Sequence, residues 1–312
     1  MNENKVRELY AERIKNNIND SFYAENVSWE GKIKTLRTYE EIIVRFILNK
    51  PEEFLLLGKI EKELKQRCNN NKILMNSFST IQKYGDENVH TEKIIKATEK
   101  DFKEVLDAIY GMYAYLFINY FEKNGFSSND RTLSMFSLIP PIIRYKTFNY
   151  FWENDKQNPI IIDKLNLAIL KTSGVKKAKE WINDNNEILK QVPCVSEIAK
   201  QDLIQKVGQQ TATKILNSEP KNMYDVCISK VNNLSATFEK NGSLYSSYEE
   251  AISFYINKIK ELESIKPLSQ KESRFKEIMD FCFEGRKTVK NNKYISMYCL
   301  SELKVISRGS NV

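Results

Sequence analysis

The chain has 312 residues, 41% of them hydrophobic and 29% charged, with 48 Lys+Arg against 41 Asp+Glu and only ten glycines and seven prolines. That balance excludes a disordered chain, starves the sequence of turns and favours helices. One histidine and five cysteines without a CxxC pair offer no zinc pattern, so neither metal nor cofactor is expected, and the thiols suit a reduced, cytoplasmic setting as small core residues.

Helical periodicity recurs along the chain and no period-2 pattern stands out, so the expected fold class is all-α. Val6, Leu9, Tyr10 and Ile14 mark a first amphipathic helix. Ile33, Leu36, Tyr39, Ile42, Ile43, Phe46 and Ile47 mark a second that ends before Pro51. Pro51 suits the first turn of a third helix over 51–68, where its missing N–H has no helical partner. Asn69-Asn70-Asn71 then breaks the chain. A short helix over 73–81 is expected to run into a polar, glycine-containing break, followed by a long helix over 94–123. The apolar stretch 105–121 is interrupted by Asp107 and Asn119 and falls short of a bilayer-spanning helix, so it reads as a core or dimer helix and no membrane partner is expected. The polar N-terminus carries no apolar signal region.

Asn124-Gly125 and the polar loop 127–130 form the clearest boundary, giving an expected N-terminal helical bundle over 1–125 and a second, basic helical domain over 126–312, subdivided near 241–246. Pro140-Pro141 kinks or splits the following segment, and the aromatic-rich stretch 136–152 is assigned to the core. Shorter helices fill 160–238. Ser247-x-x-Glu250 and Ser269-x-x-Glu272 are capping boxes, predicted to open helices over 248–265 and 270–290. Residues 1–125 hold 20 Lys+Arg against 20 Asp+Glu, whereas 126–312 hold 28 against 21. A basic module beside a neutral one points to an anionic partner, although a lysine-rich solvated surface explains the same excess.

The single histidine, His90, lies in the polar break ahead of the long helix. Imidazole is the one side chain whose ordinary pKa lets it exchange protons near neutrality. His90 is therefore the one obvious acid–base candidate; a loop histidine or helix cap is the plain alternative.

The layout of residues 30–125 resembles the HEPN superfamily, small helical bundles of prokaryotic toxins and abortive-infection proteins. In that family an Arg, four to six intervening residues and a His precede a long helix, and one branch carries a Gly-Asn step just before the His. Here Gly85-Asp86 stands near that step and His90 precedes the long helix. The resemblance implies metal-independent RNA cleavage by a dimer in a toxin or phage-defence role, with His90 moving the proton and a cation neutralising the phosphate. The sequence departs from the pattern in having no arginine at the permitted spacing. Lys83 is the nearest cation there, and a lysine neutralises phosphate without gripping it by a planar fork. Tyr84 and Asn88 are candidates for supporting hydrogen bonds. The alternative is a degenerate, non-enzymatic HEPN module binding nucleic acid or protein, a defence-system partner included.

A second pattern lies in the basic part. Ser173-Gly174-Val175-Lys176-Lys177-Ala178 is echoed by Val207-Gly208-Gln209-Gln210-Thr211-Ala212, both reading Gly-x-x-x-Ala. The second copy resembles a helix–hairpin–helix element, in which a glycine turn feeds a helix whose N-terminal amides meet a nucleic-acid phosphate. The resemblance implies phosphate contact with Lys176, Lys177, Lys206 and Lys214 as the supporting cations, RNA ahead of DNA as the partner. Ordinary helix packing accounts for the same motif.

Overall fold

The computed structural model describes residues 3–50, 57–89, 96–126, 130–195, 197–218, 220–241, 247–289 and 297. Among these residues there are fourteen α-helices and no β-strand, so the fold is all-α. The chain divides into two compact units, residues 1–139 together with 247–312, and residues 140–246. Sequence reasoning expected one cut near 125 and a lesser one near 241–246; the unit boundaries fall at 139/140 and 246/247, and the C-terminal helices group with the first part of the chain.

The first unit contains α1 (Glu3–Ile18), a π-helical turn (Asn19–Tyr23), α2 (Trp29–Leu48), α3 (Leu57–Arg67), α4 (Lys72–Val89), α5 (Glu99–Asn124) and α6 (Asp130–Phe136). Ser28 caps α2 by accepting from the Gly31 amide at 3.1 Å. Asn49, in the left-handed region at φ 55°, ends that helix. The predicted stop at 69–71 is a turn in which Asn69 and Asn70 both take positive φ. The long helix starts later than expected because Thr98 and Asp101 form a capping box immediately before Glu99. Its segment from Gly111 to Ile118 is buried on every side, which makes α5 the central helix of the unit.

α13 (Tyr248–Ile265) and α14 (Gln270–Phe283) complete the first unit, each opened by its predicted capping box. α14 brings Phe275 into an aromatic cluster with Phe117, Tyr120, Phe121 and Phe136, with ring centroids 4.8–6.3 Å from that of Phe275. Phe281 stacks on Phe46 of α2 at 4.1 Å. Arg131 of α6 donates to the Leu262 and Lys266 carbonyls at 2.7 and 2.8 Å and pairs with Glu272 at 3.3 Å, tying the end of α13 to the start of α14.

The second unit contains α7 (Pro141–Asn154), α8 (Pro159–Asp184), α9 (Asn186–Gln191), α10 (Glu197–Val207), α11 (Gln209–Ser218) and α12 (Met223–Asn241). Pro141 opens α7 as a first-turn proline rather than kinking a longer helix. α8 packs on α7 and α12. Its buried Asn166 donates to the Cys227 carbonyl at 3.3 Å. Phe148 and Trp152 are buried, in keeping with the core assignment of the aromatic stretch. The units carry 33 Lys+Arg against 30 Asp+Glu and 15 against 11, so the positive excess is shared between them and is denser in the second.

Among the described residues no helix is long and apolar enough to cross a membrane.

Candidate functional site

The polar break expected after Ile81 does not form: α4 runs on through Gly85, Asp86 and Glu87 to Val89. Glycine costs a helix interior about 1 kcal/mol, too little to stop a helix packed along its length against two others. α4 contacts both α2 and α5, and Gly85 itself is buried. Tertiary packing overrides the local signal.

This continuation sets Lys83 and Tyr84 on a helix rather than a loop. Lys83 is exposed, its Nζ 5.4 Å from the Tyr84 ring centroid. The Tyr84 hydroxyl donates to Glu104 Oε2 on α5 at 2.5 Å. Gln82 donates through Nε2 to Glu40 Oε2 on α2 at 2.7 Å, and Glu40 has no exposed surface. α2, α4 and α5 are thereby cross-linked by polar side chains around the two predicted residues. The Asn88 side chain and His90 lie outside the described residues, so their place beside Lys83 stays an expectation from sequence.

α4 also meets a cation that sequence spacing missed. Arg37 of α2 crosses α4 at Gly85, its Nη1 donating to the Gln82 carbonyl at 3.4 Å. A Cβ on residue 85 would stand 2.5 Å from Arg37 Cδ and 2.6 Å from its Nη1. The approach therefore requires a glycine. An arginine 48 positions earlier in the chain thus meets α4 at Gln82 and Gly85, and it carries the planar fork that lysine lacks. The one sequence trace of it is Gly85, a glycine placed where a helix continues.

The two glycine motifs of the second unit share a positive φ. Gly174 takes φ 81° and ψ 176° inside α8, splitting that helix into two segments. Gly208 takes φ 79° between α10 and α11. Both conformations favour glycine. In each copy the alanine four residues on, Ala178 or Ala212, has no exposed surface. Ala212 N–H donates to the Gly208 carbonyl at 2.9 Å, so that glycine caps α11. The predicted echo is therefore a repeated local structure, a glycine turn feeding a helix seated on a buried alanine.

Around these turns Lys176, Lys206 and Lys214 are exposed. Lys177 is exposed but paired with Glu180 at 2.7 Å; that contact raises the ammonium and lowers the carboxyl from their ordinary values. α10 and α11 pack chiefly on each other and present Val207 and Ile215, 41% and 38% exposed, among their lysines.

One further perturbed group was not foreseen. Burial, and next the charge of Arg144 on α7, push the Lys171 ammonium of α8 down to about 8. Cys227 is the opposite case: burial first, then Asp163, pushes its thiol up to about 12, which leaves it an inert core group. Among the described residues no group of three or more His, Cys, Asp or Glu is placed to hold a metal ion. No protein-family model, curated protein or solved structure matches this chain.

Proposed function

We propose that this protein acts on nucleic acid, RNA ahead of DNA, and that the glycine turns of the second unit contact its phosphates. The observation that carries the reading is the repetition: two glycines at φ 81° and 79°, each followed by a helix and by an alanine without exposed surface. Helix N-termini attract anions through free amides and the macrodipole, and Lys176, Lys206 and Lys214 add charge. Val207 and Ile215 offer apolar contact to a ribose or base beside the second turn. The test is an RNA titration over a salt series. Replacing Lys206 and Lys214 by Gln should lower the slope of log affinity against log salt by about 1.4 for a single strand, ~0.7 per lysine. Affinity and slope equal to the native protein's would remove these turns from the interface.

A second reading, RNA cleavage at a HEPN-like site in a toxin or phage-defence role, is favoured by Arg37. With Lys83 it would neutralise charge building on the phosphate, while His90 takes the ribose 2′-hydroxyl proton or protonates the leaving oxygen. Tyr84 and Asn88 would position the strand, in a homodimer that sets two such sites at one cleft. His90→Ala should abolish cleavage and leave RNA affinity within about twofold. Cleavage unchanged in that variant would leave the binding module as the function.

A further inference from the structure

Arg286, three residues beyond α14, is 2% exposed and among the largest fully buried side chains of the first unit. Its Cζ lies 4.1 Å from the ring centroid of Phe22 and 4.3 Å from that of Tyr248. One hydrogen bond joins it to the Tyr113 hydroxyl. Among the described residues it makes no ion pair, and its Nε and Nη2 have no hydrogen-bond acceptor. The Tyr248 hydroxyl, on one of the two contacting rings, is likewise buried without a partner.

Guanidinium does not deprotonate in proteins, so the site holds a full positive charge. A buried cation without a counter-charge is strongly unfavourable. The neighbouring tyrosines do not supply one, because burial pushes the hydroxyls of Tyr113 and Tyr248 above their ordinary range and keeps both neutral. Two carboxylates of the same unit have other partners: Glu249 accepts from Tyr23, and Glu284 Oε2 accepts from the Met297 amide at 2.7 Å. Ring faces stabilise the cation from above its plane, but the N–H groups radiate within that plane and need acceptors of their own.

The two nitrogens lacking acceptors form one edge of the guanidinium. Their N–H bonds run parallel and match two oxygens of a carboxylate or phosphate group. The third buried group without a partner, Tyr248 Oη, is also a donor. We infer that Arg286 and Tyr248 form a buried oxyanion site in the first unit, with the Nε–Nη2 edge gripping two oxygens of a phosphate or carboxylate and the tyrosine hydroxyl donating to the same group. This inference is independent of the nucleic-acid reading.

The test is thermal melting of the full chain in inorganic phosphate, acetate or chloride, at fixed pH and ionic strength and after long equilibration, because a buried site exchanges through local opening. A ligand bound only by the folded state raises the melting temperature saturably. Phosphate or acetate should do so and chloride should not; which of the two oxyanions acts identifies the group held. Tyr248→Phe keeps the ring on the guanidinium and removes one donor, so it should weaken the apparent affinity about tenfold. Arg286→Lys keeps the charge, loses the parallel edge and should abolish the saturable rise. Equal stabilisation by chloride, no stabilisation by either oxyanion, or a response unchanged in Tyr248→Phe would overturn the site.

Discussion

Arg37 lies across Gly85, so close that a β-carbon on residue 85 would meet its Cδ at 2.5 Å. α2 and α4 thus meet at this point, and the missing β-carbon leaves Arg37 room to cross. The opposing atoms belong to the far end of a flexible side chain, which can swing aside, unlike a backbone.

Gly85→Ala should therefore leave the fold intact while displacing Arg37. Alanine gains about 0.5–1 kcal/mol of helix propensity, roughly offsetting the lost contact, so the melting temperature should stay within a few degrees. RNA affinity should fall about tenfold, as for Arg37→Ala, the loss of one charge-assisted hydrogen bond. The double variant should bind no worse than either single one. Native affinity in Gly85→Ala would separate Arg37 from the RNA surface.

The glycine turns make a cleaner stability prediction. Nothing lies within 4 Å of a Cβ built on Gly174 or Gly208, so alanine there meets no steric obstacle. The cost is conformational alone, about 1–3 kcal/mol at Gly174, whose φ and ψ belong to a region populated essentially by glycine. Urea unfolding should place Gly174→Ala in that range and Gly208→Ala at about 1–2 kcal/mol. Neutral substitutions would mean that the turns relax into ordinary helix.

Lys171 predicts a pH dependence. Its folded value of about 8 lies below that of an unfolded lysine near 10.4, so between those limits the unfolded chain binds more protons. This group's contribution to stability should therefore rise with pH from about 8 to about 10.4 and be flat below 8. Lys171→Met removes the group. The variant's stability advantage at pH 7.5 should shrink by pH 10, read from denaturant midpoints of the two proteins at each pH. A constant gap would mean that Lys171 titrates normally.

How much of this was legible depended on how local each cause is. Ser247, Glu250, Ser269 and Glu272 act within four residues of chain, and both capping boxes stand where the sequence pattern predicts them. The glycine echo was visible for the same reason, since positive φ at Gly174 and Gly208 is a property of the turn itself. Gly85 misled because its meaning is tertiary: alone it reads as a break, and only Arg37 turns it into a crossing point. The late start of α5 at Glu99 was missable too, with Thr98 and Asp101 a less common pairing than serine with glutamate. At the site, Lys83 and Tyr84 stand side by side as their adjacency in sequence required, whereas no spacing rule reaches Arg37. The grouping of α13 and α14 with the first unit left no trace in composition, because a helix reveals that it has an apolar face and not which partner covers it.

That grouping sets an order of events at the ribosome. Residues 140–246 are contiguous and can close as soon as they emerge, whereas the cluster of Phe117, Tyr120, Phe121 and Phe136 waits for Phe275 of α14. At about 5–20 residues per second, the stretch from 137 to 283 takes roughly 7–30 s to translate. Through most of that interval the internal unit is itself still being made; once residue 246 has emerged, a finished internal unit coexists with an aromatic cluster still awaiting Phe275.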